Sequence, residues 1–369
     1  MKRTKEIFKT GIIGIITNII LVIFKIIVGI ISGSVAIITD GINNLSDAAS
    51  SIVTIIGAKL AAKPADKKHP FGHGRAEYFS TLVVSIVIIL TGATALEEAI
   101  HKIVDPTEVS YSPATIIVMI GAIITKIILG IYTWRKGKKL NSGSLIGSGK
   151  DALMDSLATG AALVSIIIYL ITGANIDGPV GILISAMILR TGIEMVVETY
   201  HILLGQRVDS ALSEKIIKEI AGLPHILGVY DLTLSNYGPG VYIGFVHVEL
   251  SDAMTATEIN DTVRHAEKMI YQKFGIFLTV GIYIINTKDK EIREIREKIV
   301  TALMDHSEIL QIHGFYVDKK SKTISFDAVL DFSVQDRKKY LKNLYSTLSP
   351  IFPKYTFEIQ LDTDYSLTK

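Results

Sequence analysis

Apolar positions dominate the first 205 residues in long blocks, interrupted by short polar connections. The blocks cover about 8–31, 35–61, 78–104, 112–134, 145–172 and 178–204. Each reaches or exceeds the roughly 20 residues that a helix needs to cross a bilayer. Lipid offers no partner to open backbone groups, so helices are the form such blocks must take. The pattern predicts an all-α domain of six membrane spans over residues 1–207.

Beyond residue 205 the pattern changes. "LSEKIIKEIAGL" has apolar residues at helical spacing, and "GVYDLTLSN" and "YIGFVHVEL" alternate like strands around the turn "YGPG". "ATEINDTVRHAEKMIYQKF" predicts a second helix and "LTVGIYII" a closing strand. The same order then recurs. "IREIREKIVTAL" is helical, "ILQIHGFYVDKK" and "TISFDAVLDFSV" are strand-like across "KKSK", "RKKYLKNLYSTL" is helical, and "YTFEIQLDT" closes after Pro350 and Pro353. The expectation is an α+β domain of ferredoxin-like αββαβ order at 208–288, duplicated as a tandem module at 289–369.

Composition and charge narrow the classes. Hydrophobic residues make up 49% of the chain, too many for a soluble protein given how they cluster in long runs. A net charge of only +2 gives no footing for nucleic acid. The chain has no cysteine, which excludes disulfides, thiolate metal sites and cysteine nucleophiles. The basic start "MKRTKEIFK" leads into a run too long for a signal-peptide core, so no cleavable leader is expected. Lysines and arginines gather at the N-terminus (Lys2, Arg3, Lys5, Lys9), between spans two and three (Lys63, Lys67, Lys68, Arg75) and between spans four and five (Arg135, Lys136, Lys138, Lys139). Positive charge stays in the cytoplasm, so both termini are expected there in a multi-pass protein of the cell membrane. No nucleophile–base motif or phosphate-binding loop is present, and no enzyme activity is expected.

The polar residues inside the spans carry the chemistry. Asp47 follows Asn43 by four residues, and Asp155 follows Asp151 by four. Positions i and i+4 share one helix face, so spans two and five each offer two oxygen ligands. If the spans face each other, three carboxylates and one amide carbonyl converge. Buried helix–helix hydrogen bonding is the plain alternative for such residues. Each carboxylate, however, costs about 2.5–3.5 kcal/mol at a helix centre. A visiting cation, a metal or protons, offsets that cost. Asp40 lies one turn before Asn43, and Asn44 on its flank; either lines a path or bonds a neighbouring helix. Asn18, Lys25, Lys126 and Arg190 either snorkel or pair with carboxylates.

These residues, with "SGSVAIITDGINNLSD", "KPADKKHPFGHGRAEY" and "GSGKDALMDSLA", resemble the cation diffusion facilitator family over residues 8 to about 286. The resemblance implies six helices and a cytoplasmic α+β domain in a homodimer that exports divalent metal, usually against protons. It carries the transport ligands onto Asn43, Asp47, Asp151 and Asp155. Zinc members typically place histidine at one or both of the positions held here by Asn43 and Asp151. Zinc favours nitrogen and sulfur ligands; an all-oxygen set suits a harder ion such as Mn²⁺. The pattern resembles the manganese branch, with protons as counter-ion and no permanent cofactor. A zinc or broad-range exporter (Fe²⁺, Co²⁺, Cd²⁺) is the rival within the class, and a non-transporting membrane metal sensor the rival outside it.

Three further groups follow from the resemblance. Asp66, His69 and His73 match a second metal site in the loop after span two, where the i, i+4 histidines suit a helical ligand pair. Arg75 and Asp209 match a charge interlock where membrane and soluble domains meet. On the strands of the α+β domain, where metal-binding members place histidines and an aspartate, this chain has His247 but Tyr230, Tyr283 and Ile285. The family's regulatory cluster is therefore expected to be absent or replaced by something weaker. His306 and His313 are further candidates in the second module.

Overall fold

The computed structural model describes residues 2–32, 35–104, 113–172, 176–304 and 306–363; a few side chains within the helices, among them Asp40 and Asn43, lie outside the described residues. Six long helices come first: α1 (Lys2–Ser32), α2 (Val35–Ala61), α3 (Ala76–Val104), α4 (Pro113–Leu140), α5 (Gly143–Thr172) and α6 (Asp177–Leu204). Among the described residues, five helices are long and apolar enough to cross a membrane, and α2, at 27 residues, is the sixth long helix. At about 1.5 Å per residue each exceeds the ~30 Å hydrocarbon thickness.

The burial pattern is that of a protein solvated by lipid. α1 turns Thr10, Asn18 and Lys25 inward while Ile16, Ile20, Ile23 and Ile27 stay exposed. Ile31, Leu90, Ile117, Ile128 and Leu183 extend the same apolar exterior around the bundle. Such a surface in water would be an aggregation liability; in a bilayer it is the favourable face. The buried hydroxyls of Thr81 and Ser85 donate to carbonyls four residues back, so they leave no orphaned donor.

Helices pair as α1 with α2, α3 with α6, and α4 with α5. Glycine sets the last contact. A Cβ added at Gly149 would lie 2.5 Å from the Trp134 backbone nitrogen, and one at Gly130 would lie 2.8 Å from Leu153. The two backbones approach because nothing stands between them. Gly149→Ala is therefore expected to lower the melting temperature in detergent, with an overpacking cost of about 1–3 kcal/mol. Gly121→Ala, with nothing within 4 Å, serves as the neutral control. Equal melting for both variants would mean that α4 and α5 yield without strain.

One end of the bundle is tied by charge. Arg3 donates from both terminal nitrogens to the buried Glu77, at 2.8 Å each, and from Nε to the Leu140 carbonyl at 2.7 Å. Lys136 donates to Glu6 at 2.7 Å. The start of α1, the start of α3 and the end of α4 thus share one end, as the distribution of basic residues predicts.

The C-terminal part is an α+β domain. It runs α7 (Ser210–Ala221), β1 (Gly228–Gly238), β2 (Val241–Ser251), α8 (Ala256–Phe274), β3 (Phe277–Ile285), then α9 (Lys290–Met304), β4 (Ile309–Asp318), β5 (Thr323–Leu330), α10 (Arg337–Leu348) and β6 (Thr356–Thr363). Two three-stranded sheets form, ordered β1-β2-β3 and β4-β5-β6. β2 and β3 pair in parallel across α8, and β5 and β6 in parallel across α10; β4 and β5 are antiparallel. Alternation along the strands buries Val246, Val248 and Leu250 against Ile216 and Ile270. The later sheet has its own core, built on Phe315, Phe326, Ile299 and Leu344. Thr255 and Glu258 start α8 with a reciprocal capping box, and Gly275 ends it in a left-handed conformation.

The chain clusters into two compact units, one of residues 1–206 with Tyr237–Gly240, the other of Arg207–Asn236 with the remainder from Val241.

Candidate functional site

Inside the helical bundle, Lys126 of α4 reaches two carboxylates. Its Nζ donates to Asp155 Oδ2 of α5 at 2.8 Å and also to Asp47 Oδ2 of α2. The ammonium is only 4% exposed, against 19% for Asp47 and 27% for Asp155. Charges this deep persist only when paired. The close approach of α4 to α5 brings Lys126 within reach of Asp155.

Two cavities flank this knot. A narrow one of about 20 Å³, room for about one water, is lined by Asp47, Asp151, Lys126, Asn18 and Thr10. A wider cleft of about 590 Å³ is lined by Asp47, Asp155, Lys126, Lys25 and Asn44. Asp47 and Lys126 face both. Of the residues predicted to converge, Asp47 and Asp155 are joined through Lys126, and the buried Asp151 sits on the narrow cavity beside them. The side chains of Asn43 and Asp40 lie outside the described residues. Asn44, expected on a flank, is buried and lines the wider cleft. Arg190 pairs with the Glu194 carboxylate at 2.8 Å on the exposed face of α6, one of the two roles expected of it.

The loop after α2 corrects one expectation. His69 and His73 are not a helical pair, because residues 63–75 are irregular. The turn through Gly72, at φ 84°, brings them together instead. Their rings stand 4.4 Å apart, and Asp66 meets His69 Nδ1 at 3.2 Å and His73 Nε2 at 3.4 Å. One ligand atom from each lies within 4.8 Å of the others. The His69 backbone N–H, donating to Asp66, holds that carboxyl below its ordinary range.

Asp209 caps α7, accepting from the Ala211 N–H at 3.0 Å. In the α+β domain, Ile285 is buried and apolar, and the hydroxyls of Tyr230 and Tyr283 donate to Glu249 and Asp327. Burial, then the Glu249 charge, pushes the Tyr230 hydroxyl up to about 12. His306 is exposed, whereas His313 is fully buried. Sequence reasoning assigned no role to Asp231, Asp327 or Asp362, which surround His313. Burial raises the Asp231 carboxyl, but the hydrogen bond from His247 and the nearby His313 imidazole outweigh it and hold the group below the usual carboxylate range.

An apolar-coated helical bundle with an ionisable knot at its heart, followed by an α+β domain, defines a polytopic membrane protein built around charged cargo. Residues 11–204 match the model of the cation efflux transmembrane domain. An uncharacterized transporter of Methanocaldococcus jannaschii is 30% identical over 257 residues, covering 70% of this chain and 90% of that one. The manganese efflux system protein MneP of Bacillus subtilis is 26% identical over 283 residues, 75% of this chain and 95% of its own. The cation-efflux pump FieF of Salmonella newport is 26% identical over 254 residues, 69% and 84% of the two chains. The chain belongs to the cation diffusion facilitator family, as a multi-pass divalent-cation efflux transporter.

Proposed function

We propose that this transporter moves Mn²⁺ out of the cytoplasm in exchange for protons, by alternating access around Asn43, Asp47, Asp151 and Asp155. The observation that carries the reading is Lys126, whose ammonium bridges carboxylates of α2 and α5. It acts as a tethered stand-in for cargo. An arriving divalent ion displaces the ammonium and gathers the carboxylate oxygens; when the helices rock outward, protons and the returning lysine compete for those oxygens and release the metal. An oxygen-only donor set favours Mn²⁺ over zinc, and two similar proteins, MneP and MneS, are named for manganese efflux.

The remaining parts fit around this cycle. The protein sits in the cell membrane as a homodimer with both termini cytoplasmic, Asp40 lining the outward path. Asp66, His69 and His73 form a second metal site on the loop. Arg75 and Asp209 interlock the membrane and cytoplasmic parts. The tail consists of tandem modules at 208–288 and 289–369, its repeated αββαβ order being the support.

Flux into proteoliposomes, measured with Mn²⁺ and Zn²⁺ at two pH gradients, tests the proposal. Mn²⁺ flux that accelerates with an opposing proton gradient is expected. Zn²⁺ flux without Mn²⁺ flux would make the chain a zinc exporter, and flux of neither would move the cargo to Fe²⁺, Co²⁺ or Cd²⁺.

A further inference from the structure

Around His313 the α+β domain gathers the carboxylates of Asp231, Asp327 and Asp362. The imidazole is 0% exposed, and neither ring nitrogen makes a well-formed hydrogen bond. Its Nε2 faces Asp231 Oδ2 at 3.2 Å, Asp327 Oδ2 at 3.9 Å and Asp362 Oδ2 at 4.0 Å. One ring N–H satisfies one oxygen at most. Three carboxylates thus converge on one buried imidazole, an arrangement that favours a cation among them.

The backbone is shaped to bring these groups together. Asp231 lies on β1 with a left-handed φ of 56°, which few residues other than Gly, Asn and Asp adopt. His313 lies on β4 beside a bulge whose Gly314 has φ 63°. Bulges re-aim neighbouring side chains. A Cβ at Gly314 would lie 3.0 Å from the Tyr283 ring, so the glycine also lets β4 come close to β3. Asp362 comes from β6 and Asp327 from β5. The four residues thus span both sheets.

Their supports resemble those that orient metal ligands. His247 Nδ1 lies 2.8 Å from Asp231 Oδ2, and the Tyr283 hydroxyl donates to Asp327 Oδ2 at 2.6 Å. Tyr230 stacks on the His313 ring at 4.8 Å and fixes its plane. Outer groups of this kind fix ligand orientation and tune affinity.

We propose that His313, Asp231 and Asp362 form a binding site for a first-row divalent cation that fastens the two sheets of the α+β domain to each other. The ligand atoms of these three residues all lie within 4.8 Å of one another. Metal–ligand bonds of about 2.0–2.3 Å put neighbouring ligands of a tetrahedral shell at roughly 3.3–3.8 Å, and His313 Nε2 lies 3.2 Å from Asp231 and 4.0 Å from Asp362, either side of that span. One imidazole with two carboxylates suits Mn²⁺, Fe²⁺, Co²⁺ or Zn²⁺ and disfavours soft ions. Asp327 stands beside the shell as a further oxygen. The site uses no residue of α1–α6, so it stands or falls separately from the transport reading.

The test uses the full-length chain in detergent, dialysed against Mn²⁺ or Zn²⁺ alone, with bound metal counted per chain by elemental analysis. Wild type is expected to hold one equivalent more than His313→Ala or the isosteric Asp362→Asn. The comparison is repeated in an Asp155→Asn background, where adding Asp362→Asn is again expected to remove one equivalent. His247→Ala, which removes a support rather than a ligand, is expected to weaken it about 10–100-fold. If His313→Ala does not fold, Asp362→Asn decides, with its helical circular dichroism as the folding check. Equal metal content and affinity in wild type and Asp362→Asn would overturn the site, as would equal metal content in Asp155→Asn and the Asp155→Asn/Asp362→Asn double variant.

Discussion

Asp155→Asn is expected to cut Mn²⁺ flux in proteoliposomes by more than about 100-fold, because a ligand contributes more to metal affinity than the outer groups whose loss already costs 10–100-fold. The substitution keeps the shape and hydrogen-bonding reach of the side chain but removes its charge. Asp155 lines the wider cleft and holds Lys126 from the α5 side. With the amide in place the knot keeps a single bridging carboxylate, Asp47, and an incoming ion meets one formal charge fewer. Asp47→Ala is expected to do the same from the α2 side. Undiminished flux through either variant would remove the α2–α5 site from the transport path.

Lys126→Met is expected to act in the opposite direction on binding. Methionine fills similar volume without the charge and removes the ammonium that bridges Asp47 and Asp155. Removing one partner of a buried ion pair costs about 3–5 kcal/mol, so the metal-free protein should melt well below wild type. Mn²⁺ now binds without displacing an ammonium. Its affinity should rise on the order of tenfold or more, equivalent to about 1.4 kcal/mol per factor of ten, and the metal-induced gain in melting temperature should exceed that of wild type. Turnover should fall, because nothing tethered helps expel the ion. Thermal melting with and without Mn²⁺, beside flux, separates the two cases. A Lys126→Met protein that binds Mn²⁺ more weakly would mean that the lysine only braces the helices.

The six helices were legible because lipid imposes a demand that sequence meets locally: an unbroken apolar run of sufficient length. The α+β order was legible for a similar reason, since alternation and turn residues repeat through 210–286 and again through 290–365. The site was only half visible. Paired acids at i, i+4 inside apolar runs pointed to Asp47, Asp151 and Asp155, but Lys126 looked no different from Lys25 or Arg190. That Lys126 reaches Asp155 depends on how closely α4 approaches α5, and that is settled by the small residues Gly130 and Gly149 meeting bulky neighbours on the other helix. His69 and His73 carried helical spacing by coincidence; Pro70 and Gly72 between them make a turn, and the turn does the joining. The acids around His313 gave no local signal at all. Asp231 and Asp362 come from the first and last strands of the domain, and each alone looks like a solvated strand residue.

An unpaired strand edge invites another chain to add to it. β3 ends its sheet, yet its outer side meets β4 of the same polypeptide, with the Val317 N–H donating to Asn286 just past the strand at 2.8 Å. The continuation of the chain therefore covers a surface that β3 alone would leave open. A strand from elsewhere meets β4 at that place before it meets β3.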